Sequence, residues 1–225
     1  MSQRPLPSFK TLWKRHESLY MDVFSMALRE LSERDLLSGD ENTISRTLRL
    51  ILNNVCFKNF RNHEVQIPNR EIPIPPKTDN ELSSSDTEKR PDFTCNFLNL
   101  QAVSPEDYEI SLHVECKKLG NPTSGSWNLN KNYVENGIQR FDSSLHEYGK
   151  RAPSGMMIGY IINSTPEEIE TEVNRFQEKH LPGWPGIHFN FRVLTLFQTR
   201  QEITRRNVKP EQFQLIHMWV DLRNN

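Results

Sequence analysis

The pattern of apolar and polar positions predicts two helices at the start of the chain. Residues 7–37 carry a wide apolar stripe at helical spacing, which predicts one long helix whose apolar face packs on the core. Docking of a partner or of a second copy is the alternative role for such a broad face. Ser38 and Glu41 form a capping-box pattern ahead of a second stripe, which predicts another helix. The two stripes comprise Leu12, Trp13, Leu19, Tyr20, Val23, Phe24, Ala27, Leu28 and Leu31, then Ile44, Leu48, Ile51, Leu52 and Val55.

Two runs in the middle of the chain show the alternation that is typical of strands. They cover residues 92–100 and 108–117, and the segment between them, from Ser104 to Asp107, is typical of a turn. In the second run, Glu115 and Lys117 fall on one face together with Ser111 and His113, while Ile110, Leu112, Val114 and Cys116 fall on the other. If the runs form an antiparallel hairpin, Asp92 lies roughly opposite Glu115 and Lys117.

The remaining pattern predicts a helix, a strand, a helix and two strands. A helix is predicted over 133–148, with Val134, Ile138, Phe141, Leu145 and Tyr148 inward, and a strand over 155–162. Thr165 and Pro166 start a capped helix that ends before Pro182. Buried strands over 187–197 and 213–222 close the chain. This order predicts one three-layer α/β/α domain over 1–225, with 1–37 as a helical extension and the proline-rich, polar segment 69–90 as an exposed loop.

Composition narrows the class of protein. The chain has 225 residues, of which 35% are hydrophobic and 25% charged, and a formal net charge of -1. No run approaches the roughly 20 apolar residues that span a bilayer, and no secretory signal pattern is seen, so a cytoplasmic protein without a membrane partner is expected. The three cysteines lie in apolar segments, and the histidines lack zinc-site spacing. No glycine-rich phosphate loop or G-x-S-x-G elbow is present, which argues against nucleoside triphosphate hydrolysis and serine hydrolase chemistry.

The chemistry suggested by the hairpin is metal-dependent cleavage of a phosphodiester. Asp92 and Glu115 supply two carboxylates, and Mg²⁺ is commonly held by one or two carboxylates together with water and phosphate oxygens. A lysine at position 117 would orient the attacking water or stabilise the charge of the transition state. An exposed charge pair on a sheet is the plainer alternative for Glu115 and Lys117.

Pro91 and Asp92, with the triplet Glu115-Cys116-Lys117, resemble the signature of the PD-(D/E)XK nucleases, the restriction-endonuclease-like superfamily. The resemblance implies a mixed sheet flanked by helices, and Mg²⁺ or Mn²⁺ held by Asp92, Glu115 and the backbone carbonyl of Cys116. Glu41 matches a metal-reaching glutamate on a preceding helix, although it is equally explained as the partner in the helix cap. The polar residue that often follows the motif is either Gln139 or Arg140.

The same resemblance implies a nuclease for DNA more than for RNA, in a bacterial restriction or antiphage system with a partner ATPase or sensor subunit. A homodimer is plausible, because cutting both strands of a duplex needs two sites or two sequential nicks. The alternative is a catalytically inactive nuclease-fold subunit that acts in nucleic-acid binding or complex assembly. Basic residues that we consider for phosphate contacts are Lys117, Lys118, Lys131, Arg140, Lys150, Arg151, Arg200, Arg205, Arg206 and Lys209.

Overall fold

The computed structural model describes residues 7–34, 39–63, 65–83, 89–122, 127–191 and 195–223. The α-helices in these ranges are α1 (Phe9–Leu31), α2 (Glu41–Val55), α3 (Asp79–Ser83), α4 (Leu129–Glu135) and α5 (Pro166–His180). The strands are β1 (Asn69–Arg70), β2 (Phe93–Leu98), β3 (Glu109–Leu119), β4 (Ser154–Ile161), β5 (Leu196–Thr204) and β6 (Gln212–Asp221). Among the helices of these ranges, none has the length and apolar character needed to cross a membrane.

A six-stranded mixed sheet forms the centre of the molecule, in the order β1-β2-β3-β4-β6-β5. β3 and β4 run parallel, as do β4 and β6, while the other neighbours are antiparallel. The predicted hairpin of β2 and β3 is confirmed, with Phe93 opposite Val114, and a short 3-10 turn at Pro105–Asp107 joins the strands. Asp92 therefore enters the sheet next to the end of β3 that carries Glu115.

Helices cover both faces of the sheet, so the molecule has a mixed α/β fold. α1 and α2 pack on one face, where Phe24 and Leu48 are fully buried against alternate residues of β3, β4 and β6. α4 and α5 pack on the opposite face, where Tyr133 and Val173 contact the other alternate residues. The prediction that the apolar face of the first helix packs on the core is confirmed.

Side-chain caps account for the starts of three helices. Ser8 accepts a hydrogen bond from Thr11 N at the start of α1, and α5 begins with the predicted capping box of Thr165 and Glu168. For α2 the cap is Asp40, which accepts from Thr43 N at 2.6 Å. The capping box predicted from Ser38 is thus replaced by Asp40, and Ser38 itself lies outside the described residues. α1 ends at Leu31, whereas the prediction carried the helix to residue 37; residues 35–37 lie outside the described ranges.

The single helix predicted over 133–148 is wrong. α4 ends at Glu135, and after Gly137 the chain continues as a 3-10 turn at Ile138–Asp142. A Cβ at Gly137 would lie 2.4 Å from Tyr133 O and 2.6 Å from Met157 Cε, so the backbone approaches its neighbours more closely than any other residue allows. The break changes the helical phase, and Leu145, predicted to point inward, is 64% exposed.

The strand predicted over 187–197 is also wrong, because β5 begins only at Leu196. β5 is an edge strand in which exposed and buried positions alternate. A prediction based on continuous apolar runs therefore did not find its polar positions. The aromatic residues ahead of it pack without joining the sheet: the Phe189 ring lies 4.3 Å from that of Trp219. The segment predicted as an exposed loop over 69–90 includes β1 and α3. Within it, Ile74 packs against the apolar core that lies between the sheet and helices α4 and α5.

Candidate functional site at the free edge of β3

β3 extends beyond its neighbour β2, and this leaves the backbone of residues 115–119 open on one side. The last pair of the ladder joins Phe93 and Val114. Past that point, carboxylates take the place of a neighbouring strand. Cys116 N donates to Asp92 Oδ2 at 2.6 Å, and Lys118 N donates to Glu41 Oε2 at 3.1 Å. Two of the predicted site carboxylates are thereby held at this edge by backbone hydrogen bonds.

The ammonium group of Lys117 lies among the oxygens predicted to bind metal. Its Nζ is 2.7 Å from Glu115 Oε1, 3.0 Å from Glu41 Oε1 and 2.9 Å from the Cys116 carbonyl oxygen. The side chains of Lys117 and Glu115 are 7% and 1% exposed. The structure thus brings Glu41, Cys116, Glu115 and Lys117 together. The carboxylate of Glu41 accepts hydrogen bonds from Lys117 Nζ and Lys118 N, and the helix is capped by Asp40 instead.

Arg140 is the residue of the predicted pair that reaches the cluster. Its Nη1 lies 2.5 Å from Glu115 Oε1, and its guanidinium carbon is 5.9 Å from the centre of the Tyr148 ring. Gln139, the other candidate, is exposed. Tyr148 was not predicted to lie near the site. The pattern gave it only as an apolar position of the helix predicted over 133–148, which does not form.

Burial raises the pKa of two carboxyl groups of the site, those of Glu115 and Asp92. Burial, together with the nearby Asp92, raises the pKa of Glu115 to about 8, and burial also raises the pKa of Asp92. Burial opposes the charge on Lys117, but Glu115, Glu41 and Asp92 outweigh it and hold the pKa of Lys117 above its usual range. The cluster therefore contains acidic oxygens that additional positive charge would stabilise.

The oxygens present are of the kind that a hard divalent cation prefers. Glu115 Oε2 is buried and has no hydrogen-bond partner among the described residues, although its other oxygen contacts both Lys117 and Arg140. A buried acceptor without a partner is rare in folded proteins and calls for an unseen donor or ion. Over the described parts of the chain, however, no group of three or more His, Cys, Asp or Glu residues has the arrangement of a metal site. The oxygens at this edge that could coordinate such an ion together with water are those of Asp92, Glu115 and the Cys116 carbonyl.

One of the basic residues considered for phosphate contacts, Arg205, has its partners inside the fold. Arg205 is 2% exposed, and its guanidinium donates to the carbonyl oxygens of Phe141, Tyr148, Gly149 and Pro210. This places Arg205 in the core, where it holds the segment that follows α4.

Comparisons of the chain with models of protein families, with curated proteins and with solved structures found no match.

Proposed function

We propose that the protein is a metal-dependent nuclease that hydrolyses phosphodiester bonds, with DNA preferred over RNA, on a restriction-endonuclease-like fold. The observation that carries the proposal is the buried carboxylate of Glu115. One of its oxygens contacts Lys117 and Arg140, and the other has no partner in the part of the chain that the structure describes. Asp92 is held 2.6 Å from the backbone nitrogen of Cys116, directly beside it. The mixed sheet with helices on both faces agrees with the fold that the sequence resemblance implies.

Asp92, Glu115 and the Cys116 carbonyl would hold Mg²⁺ or Mn²⁺, with Glu41 next to them. Such an ion lowers the pKa of a bound water and offsets charge on the phosphate. Because Lys117 and Arg140 both contact Glu115 Oε1, Oε2 would be the oxygen left for the ion. The ammonium of Lys117 would orient the attacking water or stabilise the transition-state oxygens.

The proposed setting is a bacterial restriction or antiphage system with a partner ATPase or sensor subunit. A net charge of -1 supports this, because a neutral nuclease has little nonspecific attraction for nucleic acid and benefits from a partner that delivers the substrate. Two copies acting together as a homodimer would give the two sites needed to cut a duplex.

The test is cleavage of plasmid, linear duplex, single-stranded DNA and RNA with Mg²⁺ or Mn²⁺. We expect the wild type to cleave DNA, and the cleavage rate to fall about a hundredfold or more in Asp92→Asn, Glu115→Gln and Lys117→Met. Each substitution removes a group proposed to contact the ion, the attacking water or the transition-state oxygens. Glu30→Gln, on the exposed face of α1, is the matched control and keeps full activity.

Two results contradict the proposal in different ways. Cleavage that persists in all three variants removes these residues from the reaction. A wild type that neither cleaves nor binds Mn²⁺ indicates the alternative, an inactive subunit in which Lys117 permanently neutralises the carboxylates. Cleavage of RNA alone keeps the site and changes the substrate.

A further inference from the structure

A second feature of the hairpin is a cavity of about 190 Å³ beside the polar cluster. Its floor is formed by two cross-strand pairs, Thr94 with His113 and Asn96 with Ser111. Since alternate residues of a strand share a face, His113 lies on the face of Glu115, and their side chains are about 7 Å apart along the strand. Residues 72–76 line the opposite wall with isoleucine and proline side chains.

The floor offers hydrogen-bond donors that no described residue uses. Thr94 is 5% exposed, and its hydroxyl has no partner within the described ranges. His113 Nδ1 accepts from Gly149 N at 3.0 Å, so the proton of the ring is on Nε2, which makes no hydrogen bond with any residue of the described ranges.

Each of the four cations that line the cavity lies near a carboxylate. Lys89 lies 3.1 Å from Glu147, while Lys150 and Arg151 share Glu81 at 2.6 Å and 2.7 Å. The fourth cation, Lys77, lies 4.0 Å from a Glu109 carboxylate oxygen and donates to the carbonyl oxygen of the same residue. A ligand with its own full charge would have to displace one of these pairs, which favours a neutral group with acceptor atoms.

The size and lining narrow the ligand further. At roughly 30 Å³ per water, the cavity holds the volume of about six waters. That is below the roughly 300 Å³ at which pockets for drug-sized molecules begin. Apolar walls with a few uncharged donors suit a flat, acceptor-bearing ring, and a nucleobase has both properties.

We propose that this cavity binds one unstacked nucleobase of the substrate, next to the phosphate that is cleaved. The inference rests on the proposed nuclease function, because it places the phosphate at Glu115 and Lys117. The base leaves its stack and lies between the Ile74 wall and the hairpin, with its acceptor atoms towards Thr94 and His113. The cavity would then give the enzyme a preference for one base beside the cut.

The test measures binding of the four deoxynucleoside monophosphates to the full chain in EDTA, by saturation-transfer NMR at millimolar ligand. Abasic deoxyribose 5-phosphate is the control ligand. We expect at least one mononucleotide to bind, and Thr94→Val to weaken that binding three- to tenfold, as expected for one lost hydrogen bond. Thr199→Val, on the far edge strand β5, is the matched variant with unchanged binding.

Thr94→Val removes a hydroxyl without a partner, so it keeps the fold intact and any loss of binding belongs to the ligand. Ile74→Trp fills the cavity and abolishes binding. The proposal is overturned if no mononucleotide binds, if the abasic sugar phosphate binds equally well, or if Thr94→Val and Thr199→Val behave alike. Because metal-free binding does not require cleavage, failure of the nuclease assay and failure of this assay are separate results.

Discussion

At the scale of single residues, Lys117 decides how the polar cluster behaves. Its ammonium contacts a carboxylate from α2, a carboxylate from β3 and a backbone carbonyl, all within 3.0 Å. A buried ion pair gains little over an apolar pair, but removal of one partner leaves a buried charge without compensation. Glu115 retains Arg140 as a second partner, which limits that cost.

We expect Lys117→Met to lower the free energy of unfolding of the metal-free protein by about 1–3 kcal/mol. The value is below the usual cost of breaking a buried pair because Arg140 still contacts Glu115. Glu115→Gln added to this variant restores part of the loss, because the carboxylate that Lys117 contacts is then also removed. Urea unfolding of the two single variants and the double variant in EDTA at pH 9, above the pKa of Glu115, measures the coupling. Strictly additive effects of the two substitutions would contradict the described contact.

Most of the site residues were predictable because they depend on local pattern. Strand alternation put Glu115 and Lys117 on one face, and the turn after β2 brought Asp92 beside them. The choice of Arg140 over Gln139 was not predictable, because the helix that should have set their phase is interrupted at Gly137 by close contact with Tyr133 and Met157. Thr94 and His113 gave no signal, since their cavity depends on a covering segment distant in sequence.

At the scale of elements, those with continuous or capped patterns were predictable and those at the edge were not. β4 is buried along its whole length and α5 begins with a full capping box, so both agree with the expectation. β5 has polar residues at alternate positions, as an edge strand with one exposed side does, and a search for apolar runs shifted it upstream.

Polar side chains also join elements within the core between the sheet and helices α4 and α5. Tyr133 of α4 accepts from Trp219 Nε1 and bonds His217 Nδ1 on β6, at 3.0 Å and 2.8 Å. The Nε2 of His217 lies 3.2 Å from Gln201 Oε1 on β5. This network fixes α4 over the sheet and so supports the position of Arg140, which follows it. The sequence could not reveal it, because the partners are far apart along the chain.

At the scale of the whole molecule, buried imidazoles and the buried carboxyls Glu115 and Asp92 act on stability in opposite directions as the pH changes. Burial lowers the pKa of His16 to about 4 and those of His113 and His217 to about 3, from an ordinary 6.5. Below pH 6.5 the unfolded chain binds protons that the folded chain does not, so acid favours unfolding. Glu115, with a pKa near 8, binds its proton in the folded state first and therefore favours folding as the pH falls from 8 to 4.5.

We expect the free energy of unfolding in EDTA to be greatest near pH 6.5. Between pH 6.5 and 4.5 the three imidazoles take up more protons on unfolding than the buried carboxyls Glu115 and Asp92 release. Two protons are the upper limit of the net uptake, so the free energy of unfolding falls by at most about 3 kcal/mol per pH unit. Urea unfolding at pH 8, 6.5 and 5 tests this. His16→Gln reduces the acid slope by one proton, and a stability that is constant or higher at pH 5 would refute the assignment of neutral imidazoles.

Asp92 and Glu115 are proposed to hold one divalent cation, and titration with Mn²⁺ followed by EPR measures this binding without substrate or partner. We expect one bound Mn²⁺ per chain in the wild type and in Glu30→Gln, and at least a tenfold weaker affinity in Asp92→Asn, which exchanges an anionic ligand for a neutral one. Absence of binding by the wild type, or equal binding by Asp92→Asn, would contradict the metal site and with it the proposed mechanism.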